Sequence, residues 1–227
     1  SYHNIVVHGA VPYFAERQIP LNKLTVMDIQ NFYTALKQKG DKGNTILHYH
    51  ANIRKSLSDA VKKYKLIQYN PAADVTRPKI DNFVSNYYDA QQLSVMLDAF
   101  RGKSIELPVI IAAYYGFRRS EVNGLKWSAI DFDNDMITVS HTVARVKLDG
   151  KMQVVAKTRT KTKSSFRSLP LIPHVIKVLL EARARQKKNQ KQCGKQYNRD
   201  YLEYVCVDDM GNLIYPDRVS SSFADTI

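Results

Sequence analysis

The segment AAYYGFRRSEVNGLKW, residues 112–127, places two adjacent arginines between two stretches with helical patterning. Gly116 can end the first helix in a left-handed conformation, and Ser120 can cap the second, whose dipole Glu121 complements. Because the backbone is fixed at both ends, an arginine between them is held in a defined direction, where its guanidinium can bind two phosphate oxygens. Surface charge or a modest salt bridge is the alternative interpretation of an Arg-Arg pair.

Length and composition limit the class of protein. The chain has 227 residues, 44% hydrophobic and 24% charged, which is enough apolar material for one large domain or two small ones. No apolar run approaches the roughly 18 to 20 residues of a membrane span, and the first residues show no signal-peptide pattern, so we expect a cytoplasmic protein. Cys193 and Cys206 lack a CxxC spacing and indicate free thiols.

The net charge of +13 is concentrated in two blocks. Residues 1–80 hold 12 basic and 5 acidic side chains, and residues 151–199 hold 14 basic side chains and one acid, Glu181. Residues 81–150 and 200–227 are net acidic. A single basic block is usually a solvated face. Two blocks in one chain favour a polyanion bound from two sides, since phosphate neutralisation supplies most non-specific affinity for nucleic acid.

Helical periodicity dominates the first third of the chain. Residues 23–40 and 43–72 both carry apolar stripes at helical spacing, with Thr25 as the predicted cap of the first helix and Asn44 or Thr45 of the second. We expect a helical domain over residues 1–74, which the family resemblance described below implies to bind DNA. The sequence VTRPKIDN, which begins at Val75, breaks the periodicity, so we predict a linker over residues 75–83.

Residues 84–227 are predicted to form a mixed α+β domain. Helices are expected over 89–101, 105–115, 120–127 and 174–191, with a last helix opening at Pro216-Asp217. Alternation with period two predicts a hairpin of strands 136–148 and 151–157 around the Asp149-Gly150 turn. Two further strands are predicted at 166–171 and 204–209.

Familiar catalytic motifs are absent from the sequence. It contains no GxxxxGK[ST], GxGxxG, HExxH or GxSxG. His48 and His50 are two residues apart and point to different sides of a helix, so they do not form a metal pair. DFDND, residues 131–135, has Met136 where a calcium loop needs glycine, and it is better interpreted as a turn. Nucleotide, metal and acyl-transfer chemistries are therefore unsupported.

A lysine cluster, KTRTKTKSSFRSLPL (157–171), follows the hairpin. Alternating Lys and Thr are also ordinary on a soluble sheet edge, where lysines oppose aggregation. Together with a fixed arginine, however, the cluster meets the needs of metal-free phosphoryl transfer, namely fixed positive charge at the phosphorane and a proton donor for the leaving oxygen. Arg118 and Lys161 are the candidates for these two roles.

Three segments in order resemble the tyrosine recombinases, the phage-integrase family, and in particular integrases of conjugative transposons. YYGFRRSEVNGLKWSAIDFDNDMITV (114–139) resembles the first catalytic box of the family, and KTKSSFRSLPL (161–171) its second strand and loop. LTVMDIQNFYTAL (24–36) and ILHYHANIRKSLSDAVKKYKLIQYNPA (46–72) are similar to its helical core-binding domain. The resemblance covers essentially the whole chain.

The resemblance implies roles for individual residues. Arg118 matches the catalytic arginine that holds the scissile phosphate, Lys161 the lysine that protonates the leaving 5′-hydroxyl, and Glu121 a supporting acid. No metal or nucleotide cofactor is implied. The other basic residues singled out in the two blocks are assigned to DNA contact: Arg119, Lys157, Arg159, Lys163, Arg167, Arg54, Lys55, Lys62 and Lys63.

One part of the family pattern has no counterpart. The later His-x-x-Arg box and the nucleophilic tyrosine after it do not occur, although YVCVDDMGNLIYPDRVSSSFADTI (204–227) looks like the segment that precedes them. The first residue is Ser1 rather than Met. We therefore expect a fragment of a longer recombinase that binds DNA but does not cleave it. A catalytically inactive, architectural or regulatory DNA-binding protein of the same fold is the alternative.

The family also implies partners. We expect duplex DNA at a recombination site, a tetramer of protomers in the synaptic complex and an accessory excision factor, with no membrane partner. The expected location is the bacterial cytoplasm, at the nucleoid.

Overall fold

The chain divides into two compact units in the computed structural model, Ser1–Asn86 and Tyr87–Ile227, and the model describes residues 2–80, 87–148, 150–158 and 166–227. The first unit is helical, and the second combines helices with small antiparallel sheets. The predicted fold class, a helical domain followed by a mixed α+β domain, is confirmed. The finer boundaries at residues 74 and 83 stay a prediction; Val75, at the start of the predicted linker, packs in the core of the first unit.

The described part of the first unit is built from helices. Helix α1 (Tyr2–Ile5) continues through a π-helical turn (Val6–Ala10) into α2 (Val11–Glu16), and α3 (Val26–Gln38) and α4 (Gly43–Lys62) follow. Short 3₁₀ turns occur at Leu21–Lys23 and Pro71–Ala73. The predicted stripe of α3 forms the core, with Ile29, Phe32, Tyr33 and Leu36 packing against Ile46 and Leu57 of α4. The stripe predicted for the second helix ends too late, because α4 stops at Lys62 and Tyr64 is 59% exposed.

The two long helices of this unit begin differently. Thr25 caps α3 as predicted, because its Oγ1 accepts from the Asp28 N–H at 3.2 Å while Asp28 accepts from the Thr25 N–H at 2.9 Å. The predicted cap of α4, Asn44 or Thr45, is wrong. The carbonyl of Lys42 already accepts from the N–H groups of Thr45 and Ile46, so the helix begins at Gly43.

The helices of the second unit are α5 (Ala90–Ala99), α6 (Glu106–Tyr115), α7 (Arg119–Val122), α8 (Pro173–Cys193) and α9 (Pro216–Ala224). A 3₁₀ turn at Trp127–Ala129 precedes the strands and another, Gly194–Gln196, ends α8. Helix α6 is apolar on most faces because it lies in the core, where Ile111 packs with Val175 and Leu179 of α8, all three at 0% exposure. None of the described helices is long and apolar enough to cross a membrane.

Five strands form two sheets in the described residues. Strands β1 (Ile130–Asp131), β2 (Met136–Val139) and β5 (Arg167–Pro170) make an antiparallel sheet in the order β1-β2-β5. Strands β3 (His141–Leu148) and β4 (Lys151–Thr158) form a separate hairpin, with His141 opposite Thr158.

Two strand predictions are wrong. The single strand expected over 136–148 is interrupted at Ser140, because β2 pairs with β5 whereas β3 pairs with β4. The strand expected over 204–209 is absent from the described structure there, where the chain makes isolated bridges instead, Lys126 with Tyr204 and Val207 with Leu213. Tyr204, Val205 and Cys206 are buried one after another, so this segment does not alternate between core and surface.

Candidate active site

The junction of α6 and α7 holds Arg118 in place. Helix α6 ends at Gly116, which has a φ of 62° as predicted, and its N–H donates to the Ala112 carbonyl at 2.9 Å. Arg118 is extended, with φ −65° and ψ 149°, and its carbonyl accepts from the N–H groups of Glu121 and Val122. Arg118 therefore occupies the position immediately before a helical turn.

The predicted second helix of this region is wrong in both of its ends. Helix α7 begins at Arg119, with Arg118 rather than Ser120 as the flanking residue, and it ends at Val122 instead of Trp127. The Asn123-Gly124 dipeptide, a turn signal in the sequence, follows directly. The short helix places Glu121 three residues after Arg118, where its carboxylate reaches back to the Arg118 N–H at 3.0 Å.

Among the described residues, a charge cluster joins Glu121 to Arg118 and Arg167. Its side chain is 0% exposed, and it accepts from Arg118 Nη1 at 3.0 Å and from Arg167 Nη2 at 2.7 Å. Arg167 Nη1 lies 3.4 Å from the same carboxylate. One buried carboxylate therefore orients two guanidiniums that are 49 positions apart in the chain. The role of Glu121 as a supporting acid, implied by the resemblance, stays a prediction.

Electrostatics keep this carboxylate ionised. Burial alone raises the pKa of Glu121, but the hydrogen bonds from Arg167 and from the Arg118 backbone and side chain outweigh it and lower the pKa to about 2. A buried charge with two cationic partners is stabilised where an unpaired one would not be. The Glu121 carboxylate is therefore ionised throughout the physiological pH range.

The two arginines differ in exposure. The side chain of Arg118 is 69% exposed, whereas that of Arg167 is 31% exposed and lies over the Phe117 ring at 5.1 Å. Arg118 thus has one edge fixed by Glu121 and the rest of its guanidinium facing solvent. This arrangement can bind an anionic oxygen with little loss of side-chain entropy, because the guanidinium is already oriented.

Arg119 points to a different partner. Its Nη1 donates to Ser220 Oγ on α9 at 2.5 Å, so the second arginine of the pair joins α7 to the last helix. Its side chain is exposed. The prediction that Arg119 contacts DNA remains a prediction.

The hairpin packs closely against α7. A Cβ added at Gly124 would lie 2.6 Å from Thr142 Cα and 2.8 Å from the His141 carbonyl oxygen, so glycine is required for the approach of β3. Next to it, the side chain of Asn123, 0% exposed, donates to the Ile214 carbonyl. Neither residue was predicted from the sequence, although the Asn-Gly turn signal marks the place.

The lysine cluster lies mostly outside the described residues, which omit 159–165 and with them Arg159, Lys161 and Lys163. Lys157 is exposed on β4. The described residues on both sides of this segment are held by side chains. Thr158 Oγ1 lies 3.2 Å from His141 Nδ1, and Arg167 binds Glu121. The chain therefore enters and leaves the lysine segment at fixed points of the second unit.

His141 is a third residue of this region that was not predicted from the sequence. Besides Thr158, it contacts the Tyr204 hydroxyl through Nε2 at 3.1 Å. Burial lowers the pKa of His141, the positive charge of Lys126 lowers it further, and Glu203 opposes both. The sequence gives no signal for the contact between His141 and Tyr204, because the two residues are 63 positions apart in the chain.

The predicted DNA contacts of the first unit are exposed. Arg54, Lys55, Lys62 and Lys63 all lie on the surface of α4 or at its end. Lys55 pairs with Asp59 at 2.9 Å, and Lys63 lies over the Tyr64 ring at 5.0 Å. An exposed ion pair such as Lys55–Asp59 is weak, so a phosphate can take the place of the Asp59 carboxylate.

No cluster of three or more His, Cys, Asp or Glu side chains in the described residues is placed to hold a metal ion. The two cysteines are free thiols, as predicted, with Cys206 buried and Cys193 partly exposed. Burial raises the pKa of the Cys206 thiol to about 12. The thiol of Cys206 is therefore protonated at neutral pH.

Comparisons with known proteins identify the class of fold. The Tn1549 transposon integrase in complex with transposon right end DNA superposes with a TM-score of 0.75 at 19% identity, covering 92% of this chain and 65% of that one. A lambda integrase tetramer bound to a Holliday junction gives a TM-score of 0.58 at 15% identity, covering 99% and 60%. The chain therefore has the tyrosine-recombinase fold.

Sequence similarity points to the same class, although no family model matches the chain. A "Tyrosine recombinase XerC-like" protein of Caldanaerobacter subterraneus subsp. tengcongensis is 28% identical over 200 residues, which is 83% of this chain and 51% of that protein. "Tyrosine recombinase XerC" of Alcanivorax borkumensis is 28% identical over 127 residues, 53% of this chain and 41% of that protein. The chain is similar in sequence to these two tyrosine recombinases, and it spans about half the length of these curated relatives or less.

Proposed function

We propose that this chain is the DNA-binding part of a site-specific tyrosine recombinase that integrates or excises a mobile element. The observation that carries the proposal is the Glu121 cluster, in which a buried carboxylate fixes Arg118 at 3.0 Å while leaving 69% of the Arg118 side chain exposed. A preoriented guanidinium of this kind suits the negative charge of a phosphodiester under attack. The relatives and structural neighbours described above are recombinases and integrases, which supports the same conclusion.

The proposed reaction needs no metal or nucleotide. In the intact enzyme the oxygen of a tyrosine attacks the scissile phosphate, so that a 3′-phosphotyrosyl bond forms as the bond to the 5′-oxygen breaks. Arg118 stabilises the charge of the phosphorane, and Lys161 gives its proton to the leaving 5′-oxygen. Attack of a 5′-hydroxyl from a partner strand reverses the step, and the energy of the phosphodiester is kept in the covalent link.

We further propose that these 227 residues do not cleave DNA by themselves. They contain no His-x-x-Arg box, and none of the 14 tyrosines matches the nucleophile of the family pattern. Binding, by contrast, uses the residues that are present. We propose that the phosphate backbone is contacted by the basic residues of α4 and by five residues of the second unit: Arg119, Lys157, Arg159, Lys163 and Arg167.

The proposed assembly is a tetramer on two recombination sites, with a Holliday junction as intermediate and an accessory factor for excision. The tetramer of lambda integrase on a Holliday junction supports the first part. The proposed place of action is the nucleoid in a bacterial cytoplasm.

Binding to duplex DNA at several salt concentrations tests the proposal. We expect affinity to fall by roughly 10³-fold or more between about 50 and about 200 mM salt, as for a protein that neutralises several phosphates. Single-stranded RNA should compete poorly. A nicked suicide duplex should give no covalent adduct with these 227 residues. Absence of duplex binding would refute the binding proposal, and an adduct would refute the claim that these residues do not cleave.

A further inference from the structure

An open groove of about 500 Å³ lies on the first unit, over the middle of α4. Its polar lining consists of His50, Arg54, Lys55 and Ser58 from α4 and Arg77 from the extended segment that follows Val75. Residues 50, 54 and 58 are spaced by four, so they share one helix face. The groove brings together two guanidiniums, an ammonium, a hydroxyl and an imidazole.

His50 is buried beneath the cationic side chains of the groove. It is 5% exposed, and its Nδ1 lies 3.0 Å from the hydroxyl of Tyr33, itself 3% exposed in the core of the unit. The other ring nitrogen, Nε2, has no hydrogen-bond partner among the described residues. A buried polar atom without a partner is uncommon in folded proteins and calls for an explanation.

The charges around this histidine are uniformly positive on the groove side. Arg54 and Lys55 approach from its own helix and Arg77 from the extended segment, while the neutral Tyr33 faces it from α3. Lys55 is paired with Asp59 at 2.9 Å. Within the described residues, neither Arg54 nor Arg77 has a carboxylate within ion-pair distance. An anion of about the size of a phosphate would therefore meet two unneutralised guanidiniums.

We propose that this groove is a binding site for one backbone phosphate of the bound DNA, held between Arg54 and Arg77 with Ser58 and His50 lining its floor. The inference rests on the proposed function, and it names a specific anchor where the sequence indicates only a basic helix face. Arg77, His50 and Ser58 are not among the DNA contacts that the sequence predicts.

The site couples phosphate binding to a proton. Burial lowers the pKa of His50, and the positive charges of Arg77 and Arg54 lower it further. A phosphate between the two guanidiniums cancels their field at the ring, so the pKa of His50 rises on binding. The protein then takes up a proton from solution, and affinity increases as the pH falls through the range in which His50 titrates.

Matched charge removals test the site. Arg77→Gln in the 227-residue chain should weaken duplex DNA binding and reduce the slope of log affinity against log salt by about one. Lys23→Gln is the control, because Lys23 is an exposed cation of the same unit that does not line the groove. Arg77 lies in an exposed segment without regular structure, so Arg77→Gln should fold as the wild type does.

The titration of His50 in the wild-type chain is a second measurement and needs no variant in the core. The ring signals of ¹⁵N-labelled histidine, followed against pH with and without a short duplex, should show that the pKa of His50 rises when the duplex binds. Inorganic phosphate, used as the probe instead of DNA, should also raise the pKa of His50, but only at high concentration. This difference distinguishes free phosphate from the DNA backbone as the ligand.

The outcomes separate the two proposals. If the chain binds duplex DNA but Arg77→Gln behaves like Lys23→Gln, or the His50 signals do not move, the phosphate site is wrong and the proposed function stands. If the wild-type chain binds no duplex DNA, both are wrong. A reduced salt slope in Arg77→Gln together with the His50 shift supports the site.

Discussion

Arg167 Nη2 donates to the Glu121 carboxylate at 2.7 Å, across 46 residues of sequence. This contact joins β5 to α7 and leaves Arg118, on the other side of the same carboxylate, to face solvent. One glutamate thus has two tasks. It connects β5 to the junction of α6 and α7 through Arg167, which is 31% exposed, and it orients the more exposed Arg118.

Glu121→Gln should destabilise the second unit strongly. The substitution removes the negative charge that two arginines share while leaving a group of similar shape, so the cost should be on the order of 3 kcal/mol of unfolding free energy. Urea unfolding measures it. Glu203→Gln is the control, since Glu203 pairs with Lys126 at 2.9 Å but is 59% exposed, and it should cost less than about 1 kcal/mol. Equal effects of the two substitutions would mean that the Glu121 cluster does not stabilise the fold.

The contribution of Glu121 should also depend on pH in a defined direction. The folded state lowers the pKa of this carboxyl from 4.5 to about 2, so the unfolded chain binds the proton more readily. The stabilisation is therefore complete above pH 4.5 and is lost as the pH falls toward 2. The difference in unfolding free energy between the wild type and Glu121→Gln should be constant at neutral pH and shrink across that window. A difference that grows on acidification would contradict the assigned ionisation.

The sequence predicted where most of the helices lie, because their apolar stripes are local, but it placed the start of α4 and both ends of α7 wrongly. Thr25 and Gly116 act at the helix ends where the sequence places them. The strand over 136–148 was wrong because alternation does not reveal which partner a strand pairs with. Its halves meet β5 and β4, and nothing local distinguishes them at Ser140.

The candidate site was only partly visible in the sequence for the same reason. Arg118 and Glu121 are three residues apart, and their relationship follows from the helix turn between them. Arg167 was assigned to DNA contact because it sits beside lysines, and its long-range bond to Glu121 leaves no local trace. The contacts of His141 with Tyr204, and the groove over His50, likewise depend on tertiary packing.

Gly124→Ala should be destabilising for steric reasons. The added methyl group would meet three backbone atoms, of Thr142, His141 and Ser120, at 2.6 to 2.9 Å, and backbone cannot move aside as a flexible side chain can. We expect a loss of about 1 to 3 kcal/mol, measured by thermal or urea unfolding. Ser128→Ala, at an exposed position of the nearby 3₁₀ turn, is the control and should be nearly neutral. Wild-type stability in Gly124→Ala would show that β3 does not approach α7 this closely.

Substitutions of Arg118 and Arg167 should affect stability to different extents. Arg118 is 69% exposed, so Arg118→Ala should cost less than about 1 kcal/mol of stability, whereas Arg167→Ala should cost more because Arg167 is 31% exposed and packs on Phe117.

In a longer polypeptide that contains the nucleophile, Arg118→Ala should abolish strand cleavage. Lys161→Ala should slow cleavage there, and Arg119→Ala should leave chemistry largely intact. Adduct formation on a nicked duplex, alongside unfolding curves for each variant, measures both effects. If Arg118→Ala cleaves at a near-normal rate, or loses activity only in proportion to lost folding, the role of Arg118 at the phosphate is wrong.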